Sequence, residues 1–127
     1  MGVPARLLAM LAVAAATSVA AAADRFVVIA DSSKRVETLS APVPVELLAF
    51  GLAATLRRLQ PITLRNVPPS PDGGVIADYR GAIENPAALA AWLDSTPGLI
   101  EHGLFPPQLV AEALVARGET VDRLVFA

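Results

Sequence analysis

Cysteine is absent from these 127 residues, and histidine and lysine occur once each. A disulfide scaffold is therefore excluded, and His102 has no second histidine or any cysteine with which to build a zinc centre. Charged residues make up only 17% of the chain, the net charge is −2 and no basic tract exists, so nothing recommends a nucleic-acid partner. Long apolar runs are missing too. Leu7–Ala16 ends at Thr17 and Ser18, short of what a membrane span requires. Ser32-Ser33 has no histidine-and-acid pattern around it to make a nucleophile, and Asp72-Gly73-Gly74 is explained by a hairpin turn, not a phosphate cradle. A metal accordingly has no candidate ligand set.

What remains is a chain 54% hydrophobic, enough for a packed core in one domain or a piece of a larger one. Eleven prolines divide it into short elements. Of its ten basic residues nine are arginines, which leaves Lys34 alone as an ammonium. Phe26–Ala30 is an apolar, β-branched run that reads as a buried strand, and it delivers Asp31-Ser32-Ser33-Lys34 to its carboxyl end. Ligands of open α/β sheets bind outside that end, and a lysine there suits a phosphate or sugar oxygen. A solvated loop lysine is the plain alternative.

Downstream, Val43–Phe50 reads as a strand and Gly51–Gln60 as a helix, with Leu52, Leu56 and Leu59 on one stripe and Arg57 and Arg58 on its polar side. Ile62–Asn66 and Val75–Arg80 alternate as strands around the Asp72-Gly73-Gly74 turn. Asn85 and Pro86 are a cap and a first position for the helix Pro86–Ser95, whose stripe of Leu89, Trp92 and Leu93 predicts a buried tryptophan. Pro97-Gly98 closes it, and Leu99–Phe105 is the next strand. The order is βαββαβ, a ferredoxin-like unit, which makes the fold class α+β. A helical turn is expected near Gln108–Val110, followed by a ribbon of Ala113–Arg117 and Thr120–Phe126 around Gly118-Glu119. His102, at a strand end, reads as a packed or surface histidine.

The alanine-rich residues 1–23 allow two readings. They have the parts of a secretory signal with cleavage near Ala23, and they equally suit a helix packed beside the first strand.

Three groups of residues carry a family resemblance. They are Arg25 to Lys34 with its I-A-D-x-S-K string, Pro42-Val43-Pro44-Val45-Glu46 leading to Phe50-Gly51 and Ala53 to Leu59, and Pro97-Gly98-Leu99-Ile100-Glu101-His102-Gly103-Leu104-Phe105. In this order and spacing they resemble type A ribose-5-phosphate isomerase from about Ala20 to Ala127. The resemblance implies aldose–ketose isomerisation of ribose 5-phosphate to ribulose 5-phosphate, in the pentose phosphate pathway, without metal or organic cofactor. A carboxylate moves a proton between C1 and C2 while lysines and backbone amides hold the charged oxygens. It further implies that Lys34 contacts substrate.

The family's Gly-Thr-Gly-Ser loop, Asp-Gly-Ala-Asp-Glu segment and Arg-Glu-Lys, with its catalytic glutamate, have no counterpart here, so no residue of this chain is assigned as the catalytic base. The expected organisation is residues 1–23 as helix remnant or signal-like segment, 24–41 as strand and lysine loop of an incomplete Rossmann-like domain, 42–105 as the ferredoxin-like unit, and 106–127 as a ribbon returning to the larger domain. A misplaced start or disrupted gene is favoured over a signal peptide, which favours the cytoplasm over export. The partner implied is a sugar phosphate, once the chain is complemented, with no nucleic acid, no membrane and a homo-oligomer left open. The competing reading is a non-catalytic ferredoxin-like binding or assembly module.

Overall fold

Short β-branched runs set the strands, and the glycines and prolines between them set where each ends. The computed structural model describes residues 20–34, 38–105 and 109–125. Within them lie β1 (Val27–Asp31), a 3-10 turn (Ser32–Lys34), β2 (Val43–Leu47), α1 (Leu52–Arg58), β3 (Ile62–Leu64), β4 (Val75–Tyr79), α2 (Pro86–Asp94), β5 (Leu99–His102), β6 (Glu112–Arg117) and β7 (Thr120–Val125).

The middle of the chain forms a four-stranded antiparallel sheet in the order β3-β4-β2-β5. With α1 between β2 and β3, and α2 between β4 and β5, this is the expected ferredoxin-like βαββαβ arrangement. Val43, Val45 and Leu47 of the central strand alternate onto the helix side, where they meet Leu59, Ala77, Tyr79, Leu93 and Leu104 in one buried cluster. Leu52, Leu56 and Leu89 pack at its margin, as their helical spacing requires.

The caps follow the sequence. Asn85 accepts the Ala88 N–H at 3.1 Å, with Pro86 at the first helical position. Gly51 opens α1 from a left-handed φ of 70°. At Gly98 (φ 89°) a Cβ would stand 2.1 Å from Thr55 Oγ1, so only glycine lets α1 lie against the turn before β5.

Several strands are shorter than expected, among them β3, which ends at Leu64 and not at Asn66. β2 stops at Leu47 because its register shifts there and the Leu48 N–H turns aside to the Gly98 carbonyl at 2.8 Å. β5 stops at His102, whose Nδ1 accepts the Leu104 N–H at 3.1 Å, while the Gly103 N–H reaches the Pro44 carbonyl at 2.9 Å. Trp92 also departs from expectation. It is 40% exposed, tilted against Tyr79 at 5.8 Å between ring centroids, because Leu93 already fills the buried position of that stripe.

A separate three-stranded sheet has the order β1-β6-β7. β1 runs parallel to β6, which makes an antiparallel hairpin with β7 through Gly118 and Glu119. The ribbon is therefore as expected; its preceding helical turn near Gln108–Val110 lies partly outside the described residues. Val28, Ala113 and Val115 share the buried face with Val110, and Phe26, Ala30 and Leu124 pack beside them. The rings of Phe26 and Phe105 meet at 5.5 Å, linking the lead-in of β1 to the segment after β5.

The apolar first strand is buried on one side only: Val28 is buried, and its neighbour Ile29 on the opposite face is 78% exposed. Alternation along β1 puts every second side chain on each face, and among the described residues only one face is packed.

Candidate functional site

Because β1 and β6 are parallel, their carboxyl ends come out at the same edge, with Asp31 opposite Ala116. Past that edge lie the Ser32–Lys34 turn and the Arg117 end of the ribbon. Such an edge is where open α/β sheets hold ligands. The one residue expected to touch substrate, Lys34, thus stands in a backbone turn at the expected end of the expected strand.

The turn has internal structure that the sequence reading did not assign. The Asp31 carboxylate accepts the Ser33 N–H at 2.8 Å, and the same Oδ1 accepts the Ser33 hydroxyl. Asp followed two positions later by Ser is the sequence signal for such an Asx turn. It was legible in the string, but no role followed from it.

Arg117 brings a guanidinium to the same edge, 3.7 Å from Asp122, with both side chains substantially exposed. The sheet's outer face carries a further charge cluster. Glu112 accepts from Arg123 and from Arg25, the latter at 2.9 Å. The hydrogen bond from Arg123, reinforced by Arg25 and opposed by desolvation, holds the Glu112 carboxyl below the usual glutamate range.

His102 belongs to the other sheet and is packed, with its side chain 3% exposed. Since Nδ1 accepts the Leu104 N–H, the proton is on Nε2, which donates to Asp94 at 2.7 Å. The Nε2 contact joins α2 to β5, and the Nδ1 contact fastens the segment just past β5. Among the described residues no group of three His, Cys, Asp or Glu side chains is placed to hold a metal ion. No helix among them is long and apolar enough to cross a membrane.

Residues 11–120 match the family model of ribose 5-phosphate isomerase A (phosphoriboisomerase A). The chain belongs to this family. It is 41% identical to the ribose-5-phosphate isomerase A of Gluconobacter oxydans, over 82% of this chain and 50% of that protein. The crystal structure of ribose 5-phosphate isomerase A from Neisseria gonorrhoeae superposes with a TM-score of 0.76 at 27% identity, covering 87% of this chain and 52% of the other. A D-ribose-5-phosphate isomerase solved in complex with phospho-erythronic acid gives a TM-score of 0.74 at 27% identity, over 86% of this chain and 53% of that one. The chain thus spans about half the length of the isomerases that it matches. The family match also begins at residue 11, within the alanine-rich segment and ahead of Ala20, the expected start of the resemblance.

Proposed function

We propose that this chain contributes to the isomerisation of ribose 5-phosphate to ribulose 5-phosphate, with Lys34 holding substrate oxygens. The observation that carries this reading is the Lys34 turn at the shared carboxyl end of a parallel strand pair, in a chain of the isomerase family. A point-like ammonium on a flexible stem suits a phosphate or the oxygen of an enediolate. The solved relative bound to phospho-erythronic acid supports a sugar-phosphate ligand of that class. The carboxylate that moves the proton between C1 and C2 comes, in this reading, from the half of the family's length that this chain does not span. No metal or organic cofactor takes part.

The organisation that goes with it has 24–41 and 106–127 as parts of a larger Rossmann-like domain, joined to the ferredoxin-like unit 42–105. Residues 11–23 of the alanine-rich segment fall within the family match. The cytoplasm is the corresponding location, and self-association through the larger domain is compatible with it.

Assay of the chain alone with ribose 5-phosphate should give no ketose above background, because positioning and the general base are both lacking. Co-expression with the first half of the Gluconobacter oxydans relative should restore turnover. Lys34→Ala should then lower kcat/KM by about ten- to a hundred-fold, the worth of a charge-assisted contact, while Arg35→Ala changes little. Full turnover by the isolated chain, or an indifferent Lys34→Ala, sinks the proposal.

A further inference from the structure

We infer that Asp31 is a positioning residue for Lys34, acting as a clasp that closes the turn on which the lysine stands. This deepens the proposed function and rests on its reading of Lys34. Three observations converge on it. Asp31 is the last residue of β1, and its backbone is fixed by pairing with Ala116 of β6, so the carboxylate starts from a rigid platform. Its Oδ1 takes both donors of Ser33, the N–H at 2.8 Å and the hydroxyl. Lys34 is the next residue, so a single peptide unit separates the clasped group from the lysine's backbone.

The chemistry gives this clasp a purpose. Ser32 and Ser33 are exposed, so Ser33 is held by its polar contacts to Asp31 and not by packing of the two serine side chains. A lysine side chain already has many rotamers, and a loose backbone beneath it would multiply the arrangements to be lost on binding. An acceptor oxygen at the strand end removes that freedom beforehand. The D-x-S spacing within the I-A-D-x-S-K string then has a physical reason: aspartate reaches a backbone N–H two residues on, and serine adds a second donor to the same oxygen. What the role requires of Asp31 is an acceptor at that point. Its charge strengthens the bonds.

Two measurements test this. In the chain itself, hydrogen exchange of the Ser33 amide should quicken about tenfold or more in Asp31→Ala and less than about threefold in Asp31→Asn, which keeps an acceptor oxygen. In the enzyme completed with the relative's first half, Asp31→Ala should lower kcat/KM about tenfold, chiefly through KM, and Asp31→Asn should recover most of it. Added to Lys34→Ala, Asp31→Ala should cost little more, because the clasp acts only through the lysine. An unchanged Ser33 exchange rate overturns the inference. So does a full loss in the Lys34→Ala background, or an Asp31→Asn enzyme as poor as Asp31→Ala. An active Lys34→Ala enzyme instead defeats the reading of Lys34 on which this one rests, whatever the exchange rates show. Should Asp31→Ala not fold, Ser33→Ala removes the hydroxyl bond alone, and a several-fold rise in KM is expected; none would count against the clasp.

Discussion

The four-stranded sheet and the three-stranded sheet treat the same kind of side chain differently. In the first, the apolar side chains of β2 and the stripes of α1 and α2 meet in a core of eight buried residues. In the second, four buried residues form the core of one face. Across the other face Ile29, Val121 and Val125 are 78%, 62% and 55% exposed. Parallel strands are ordinarily covered on both sides, whereas among the described residues β1 beside β6 is covered on one face only. The ferredoxin-like unit supplies its own cover.

That contrast is broken most directly through the cores. Leu47 is fully buried on the central strand β2, between β4 and β5. Leu47→Ala should destabilise its unit by about 2–5 kcal/mol, the usual cost of a large-to-small change with a cavity. Val28→Ala in the smaller core removes two methylene equivalents, roughly 1.6 kcal/mol. Trp92, the sole tryptophan, sits on Tyr79 within the four-stranded unit and reports its unfolding in urea. Leu47→Ala should move the Trp92 midpoint strongly and Val28→Ala hardly at all. Equal shifts would mean that the two sheets unfold as one cooperative body, joined through contacts such as Phe26 on Phe105.

The same contrast explains which parts of the sequence could be read. Asn85-Pro86, the leucine stripes and the Gly98 turn were legible because the groups that satisfy them lie a few residues away or in the adjacent helix. Lys34 was legible as a position, since strand polarity alone sends it to a carboxyl end. The exposure of Ile29 was legible only through the family resemblance, because a β-branched run looks the same whether one face or both are covered. Trp92 was misjudged for a related reason. Helical spacing names a stripe but not its width, and Leu93 occupies the centre. The Glu112 cluster joins residues far apart in sequence, Arg25 and Arg123, so no spacing could announce it.

The exposed face provides a smaller effect. The isolated chain should bind a hydrophobic dye and elute from size exclusion ahead of a monomer, since exposed apolar faces and an open β1 edge invite association. Replacing Ile29 and Val121 together by serine should reduce dye binding severalfold. Stability should barely change, as substitutions at exposed positions usually stay within about 0.5 kcal/mol. A sharp monomer peak without dye binding, before any substitution, would show that the face is closed by the chain's own residues and that the contrast between the sheets is false.

The smallest effect lies in the charges that tie the open sheet together. Arg25 precedes β1, Glu112 begins β6 and Arg123 lies on β7, so one carboxylate holds three segments on the outer face. The guanidiniums depress the Glu112 pKa below its ordinary value of 4.5. A depressed carboxyl binds protons less readily when folded than when unfolded, so its contribution is complete above the ordinary value and disappears as pH falls through the lowered one. Wild type and Glu112→Gln should therefore differ in thermal midpoint near neutral pH, begin to converge as pH falls below about 4.5 and meet only below the lowered value, within the acid range where both remain folded. Both arginines are more than half exposed, so added salt should shrink the neutral-pH difference as well. The Trp92 transition should not follow either change, because Glu112 lies in the other sheet. A difference that persists unaltered into acid would assign the Glu112→Gln effect to packing and not to charge. One that also moved Trp92 would join the two sheets energetically where their cores are separate.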